Sequence, residues 1–171
     1  MTECCSPAKE NGSSTSSFTI TVGKISGHCQ IGEDWASAAM NAGKMPVLSC
    51  EGPCIKGEIA RRAATLLPRV DQRFERACHG EGFYVPYSSM AKWIAKADKV
   101  VMIDGCFLHC HGRVLSNFVD PAKICHINAH AIHKKYKDTF SWDDIPDSEI
   151  SELAEKVAAE VAVTALKSDG A

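Results

Sequence analysis

The feature that most constrains the fold is an apolar run that stops abruptly, in residues 99–113, KVVMIDGCFLHCHGR. Val100 to Ile103 are apolar without alternation and mostly β-branched, the pattern of a strand buried on both faces. Asp104-Gly105 then breaks the run as a turn. Cys106 and Cys110 follow, four apart, where a helix should begin. Open α/β folds place their ligands at the carboxyl ends of strands, and these thiols stand at such an end. The same design occurs earlier: Pro-Val-Leu-Ser at 46–49 leads into Cys50-Glu51-Gly52-Pro53-Cys54 and a helical pattern. Two units of strand, cysteine, three residues, cysteine and helix point to one shared thiol site.

The rest of the chain fills in the layers. Residues 18–22, FTITV, alternate with period two and read as a further strand, a candidate for a sheet edge. A helix is expected from about Gly32 to Ala42. Residues 56–67 form a strong helix, with Ile59, Ala63, Leu66 and Leu67 on one face and Pro68 as its stop. The charged stretch 69–82 reads as a loop or a helix extension. Ser88 or Ser89 caps a helix through residues 90–97, and a further helix should run from Cys106 to about Asn117. Residues 123–128, KICHIN, read as another strand. Ser148 caps a final helix whose stripe is Ile150, Leu153, Val157, Val161 and Leu166. Strands alternating with helices predict a single-domain, Rossmann-like three-layer α/β sandwich over residues 18–171, its sheet mostly parallel and covered on both faces. The serine-rich residues 1–17 read as a disordered tail.

At 171 residues the chain is long enough for one well-packed core. A net charge of −2 gives no basic field for nucleic acid. No apolar run approaches the roughly 18–20 residues of a membrane span. The polar N-terminus lacks a signal-peptide core, so a cytoplasmic protein is expected. In that reducing setting, nine cysteines point to metal ligands or redox thiols rather than structural disulfides. Cys29 and Cys125 read as small buried hydrophobes, and Cys4-Cys5 as an incidental pair.

A cysteine at the start of a helix meets free N–H groups and the positive end of the dipole, which favour the thiolate. Zinc requires that form, with bonds near ~2.3 Å and commonly four ligands. His109 and His111 flank Cys110 and could tune or ligate a metal. His126, His130 and His133 would share one helix face, except that His126 falls in an expected strand. Other templates fail. Residues 52–58, GPCIKGE, miss the phosphate-binding loop because Gly57-Glu58-Ile59 stands where Gly-Lys-Ser/Thr is needed. No arginine follows Cys50, Cys54 or Cys106 at the spacing of a tyrosine-phosphatase loop.

Asp104-Gly105-Cys106 with Cys110 resembles the signature of the DGC family, described as zinc-binding proteins. Cys50, Gly52 and the Gly57-Glu58-Ile59-Ala60 segment resemble that family's N-terminal cysteine-glycine region. Cys78 lies about where its middle cysteine is expected, and the likeness covers approximately residues 46–135. The resemblance implies Zn²⁺ as the partner and Cys50, Cys78, Cys106 and Cys110 as its ligands, with Cys54 competing for the place of Cys78. It implies no reaction. The expected function is a cysteine-thiolate zinc site at the strand ends. The alternatives are a redox or transfer enzyme using Cys106 or Cys50, and a metal carrier or sensor.

Overall fold

The structure is a computed structural model and describes residues 17–167. Residues 1–16, which include the Cys4-Cys5 pair and nearly all of the expected tail, lie outside the described residues. Four strands form one all-parallel sheet: β1 (Met45–Ser49), β2 (Phe74–Arg76), β3 (Val100–Asp104) and β4 (Ile124–Asn128), in the order β2-β1-β3-β4. The helices are α1 (Gln30–Asn41), α2 (Ile55–Val70), α3 (His79–Tyr84), α4 (Ser89–Lys96), α5 (Cys110–Leu115), α6 (Ala129–His133) and α7 (Asp147–Lys167).

The apolar strands explain the layering. Val47, Val101, Ile103 and Ile127 point into one core, closed by Ile55, Ile59, Ala63 and Leu67 of α2 and by Ile150, Val157 and Val161 of α7. Leu48, Val100 and Met102 point into the other, closed by Ala36 of α1, Met90 and Trp93 of α4 and Leu115 of α5. All five residues of β3 are buried, as an unalternating run requires. Ser88 caps α4 by accepting the Ala91 N–H at 3.1 Å. Trp93, fully inside, places its indole N–H on the Lys44 carbonyl at 2.9 Å and so satisfies its one polar group.

Several local expectations differ from the structure. Residues 18–22 form no strand, and Phe18, Ile20 and Val22 are exposed. A period-two pattern makes a strand only where a ladder partner exists, and among the described residues this stretch has none. Tyr87 instead pins the following coil, donating its hydroxyl to the Ile25 and Gly27 carbonyls. Pro68 does not stop α2, which runs to Val70; Pro68 forfeits one N–H, but the Asp71 N–H still reaches the Leu67 carbonyl at 3.0 Å. The stretch 69–82 contains β2 and the start of α3. The helix expected from Cys106, α5, begins only at Cys110 and ends at Leu115, because residues 105–109 are occupied by the turn. Ser148 lies inside the first turn of α7 rather than capping it, and Pro146 supplies the carbonyl for Glu149 and Ile150. Cys29 is exposed; Cys125 is half-buried against the α2/α7 core.

The topology fixes where a site belongs. From β1 the chain crosses outward to β2, then returns past β1 to reach β3. The strand order therefore reverses between β1 and β3, and α2 leaves β1 on one face while α5 leaves β3 on the other. A crevice at the carboxyl ends of two such strands is the usual ligand position in open α/β sheets.

Candidate metal centre

Cys50 and Asp104 stand side by side at this reversal. The β1–β3 ladder pairs Ser49 with Ile103, and the Cys50 N–H extends it to the Ile103 carbonyl at 2.8 Å. Asp104 ends β3 and is 1 % exposed. Its Oδ2 accepts from the Gly112 N–H at 3.0 Å and meets His126 Nε2 at 2.7 Å, while Oδ1 takes a long contact from the His111 N–H at 3.4 Å. Burial pushes this carboxyl up, but His126 and the two backbone donors outweigh it and hold the group below its ordinary range. The N–H groups at the start of α5 are thus turned onto Asp104, not onto a thiol. At α2 the first N–H, of Ile55, is taken by the Phe140 carbonyl at 3.0 Å. Cys50 receives backbone donors, from Gly52 at 3.3 Å and from Gly105.

Glycines permit this crowding. A Cβ on Gly105 would stand 2.7 Å from the Lys56 carbonyl oxygen and 2.8 Å from the Gly57 nitrogen. The Asp-Gly turn can therefore press against the first turn of α2 only without a side chain. A Cβ on Gly112 would collide with the His126 ring and lie 2.8 Å from Asp104 Oδ2.

Two groups of metal-ligating atoms result, each with its atoms within 4.8 Å of one another: Cys50, Asp104 and His111, and Asp104, His109 and His126. Asp104 belongs to both. His111 Nδ1 is buried with no hydrogen-bond partner. The His111 ring packs edge-on against His79, centroids 5.0 Å apart. His79 Nε2 accepts the Ser49 N–H at 3.1 Å, so its proton sits on Nδ1. Burial, then Arg76 and His111, lower the His79 pKa to about 3, so it is neutral at pH 7. Burial also pushes the Cys50 thiol up, and Asp104 and Cys54 add to that, against the pull of the Gly52 and Gly105 donors. Burial and His126 keep His109 below its ordinary range, leaving it neutral as well.

Of the four cysteines named from the sequence, Cys50 lies in a triad; Cys78, Cys106 and Cys110 lie in neither among the described residues. All four nonetheless stand at the carboxyl end of the sheet: Cys50 after β1, Cys78 after β2, Cys106 after β3 and Cys110 at the head of α5. Cys78 lines a cavity of about 910 Å³ with Cys29, Trp35 and Glu81. Cys106 is half-buried and Cys110 exposed. His130 and His133 stand on α6 with ring centroids 5.3 Å apart, separate from both triads. What sequence reasoning missed is Asp104, read only as a turn residue, and the pairing of His126 with His109.

The family model of the DGC domain matches residues 46–162, most of the chain. The chain belongs to the DGC-domain family. This match takes in both triads and, but for Met45, all four strands of the sheet. Comparison of this DGC protein with curated proteins and with solved structures returned no match. Among its described residues no helix is long and apolar enough to cross a membrane.

Proposed function

We propose that this DGC-domain protein binds a thiophilic divalent metal, zinc foremost, at the β1–β3 reversal through Cys50, Asp104 and His111. The observation that carries the reading is the orphaned, buried Nδ1 of His111, on a ring that stands with a thiol and a carboxylate. A buried imidazole nitrogen without a partner is costly unless something else meets it. One sulfur, one nitrogen and one oxygen ligand form a set that zinc accepts. Three protein ligands leave one position, and Cys106, two residues past Asp104, is the proposed fourth. Cys78 and Cys110, the rest of the sulfur set that the family resemblance implied, would join only if an ion drew their segments inward. The reading includes a reducing, cytoplasmic setting in which the thiols stay free.

The alternative, a redox or transfer enzyme acting through Cys50, is disfavoured by the same geometry. Burial and the neighbouring Asp104 push the Cys50 thiol up, so it lacks the standing thiolate of an activated nucleophile, whereas a zinc ion displaces that proton as it binds.

Metal content of the full chain, purified anaerobically and measured by plasma mass spectrometry, tests the proposal. About one or more equivalents of zinc should accompany the wild type. Cys50→Ser and His111→Ala should each lose about one equivalent, and Cys29→Ser and Cys125→Ser should not. A wild type that stays metal-free after refolding with zinc would overturn the reading. So would unchanged content in both Cys50→Ser and His111→Ala.

A further inference from the structure

His109, Asp104 and His126 bring three ligating atoms within 4.8 Å of one another at the end of β3. His126 Nε2 lies 2.7 Å from Asp104 Oδ2 and 2.8 Å from His109 Nδ1. A proton on His126 Nε2 serves Asp104 Oδ2, whereas His109 Nδ1, also 3.2 Å from His126 Nδ1, sits beside the ring and off the line of that proton. A shared cation would take the lone pairs of both imidazoles and the carboxylate together.

The backbone is bent to produce this convergence. His109 adopts φ 50°, ψ 42°, the left-handed region, which residues with a side chain rarely enter. The side chain thereby stacks edge-on against His126, centroids 4.1 Å apart, and not back on α5, where it makes no capping bond. His126 comes from the neighbouring strand β4, whose register sets Asn128 opposite Asp104. Gly112 leaves the space its ring fills. Two histidines and one carboxylate are a recognised set for first-row divalent ions with open positions. The His126 side chain is 29 % exposed, so solvent reaches the group.

We propose that Asp104, His109 and His126 hold a second divalent ion, and that Asp104 bridges it to the ion of the Cys50–His111 group, making a dinuclear centre. This rests on the metal-binding reading above. Asp104 Oδ2 faces His126, and Oδ1, which has only the long His111 N–H contact, serves the first ion. Paired ions sharing a carboxylate stand about 3.5–4 Å apart in such centres. The first ion has a sulfur ligand and is buried. The second has only nitrogen and oxygen ligands, opens to solvent, and takes water or an anionic oxygen in its free positions.

The test is an anaerobic cobalt(II) titration of the metal-free full chain, following sulfur-to-cobalt charge-transfer absorbance and total bound cobalt by equilibrium dialysis. The wild type should bind two equivalents, of which one carries the thiolate band. His109→Asn, which tolerates the left-handed backbone, and His126→Gln should each bind one, with the band intact. Cys50→Ser should bind one without the band, and Asp104→Asn should weaken both. Retention of the band in the histidine variants also shows that they are folded. A wild type binding one equivalent with the band, unchanged in His109→Asn and His126→Gln, overturns the second ion and leaves the thiolate site standing. Absence of the band in the wild type removes the first ion, and with it the shared-carboxylate arrangement.

Discussion

Asp104 is the residue on which the site turns. It is a buried carboxylate whose neighbours come from three places: Gly112 and His111 on α5, His126 on β4, and Cys50 beyond β1. Such a side chain holds strand and helix together even without a metal, because each donor it satisfies would otherwise be buried unmet. The same crowding makes Gly112 intolerant of a side chain. Gly112→Ala should lower stability by about 1–3 kcal/mol, since either the His126 ring or the Asp104 carboxylate must move. Gly80→Ala is the control: a Cβ there meets nothing, and the substitution should be neutral or mildly stabilising. Urea denaturation of both variants decides this, and equal losses would contradict the packing described. At this scale the sequence was half legible. Cys50 could be read from its place after an apolar run, because a strand end is a local signal. Asp104 read only as a turn former, and its partners come from residues 7, 8 and 22 positions away, which no spacing rule links.

Among elements, those with strong local patterns were legible and the short ones were not. The unalternating run of β3, the apolar face of α2 and the Ser88 cap of α4 each follow from neighbouring residues. β2 has three residues and α5 six, too few for a period to show. Residues 18–22 carried a period and still formed no strand, because pairing needs a partner that the sequence does not reveal. α6 adds a property readable only from its packing. His133 is 4 % exposed, and its pKa is lowered to about 4 from an ordinary 6.5. Burial is the chief cause, then the positive or like-charged neighbours His130, Lys56, Lys156 and Lys135. The unfolded chain therefore binds this proton first as pH falls. Stability should be unaffected above pH 6.5, decline between about 6.5 and 4, and level below, by at most about 3 kcal/mol from this residue. His133→Leu should flatten the stability–pH curve in that window by up to one proton, as read from denaturation midpoints at several pH values. An unchanged slope would contradict a neutral, buried His133.

For the molecule as a whole, the decisive fact is strand order. Because β1 lies between β2 and β3, the chain must reverse direction across the sheet, and Cys50 and the Asp-Gly-Cys turn come to stand at the ends of two adjacent strands. The two C-x3-C units seen in the sequence thus follow neighbouring strands of one sheet. Parallel, doubly covered layering was legible from alternating strands and helices. The strand order was not, because it is set by packing of α2 and α7 on one face and α1, α4 and α5 on the other. The proposed metal would be held there by mixed sulfur, nitrogen and oxygen ligands. X-ray absorption at the zinc edge, on the anaerobically purified, zinc-loaded full chain, reads that shell. A mixed shell is expected, with one or two sulfurs near ~2.3 Å and the remaining ligands at about 2.0–2.2 Å. A shell of four sulfurs would contradict it and return the ligand set to Cys50, Cys78, Cys106 and Cys110; a shell without sulfur would remove Cys50 from the site altogether.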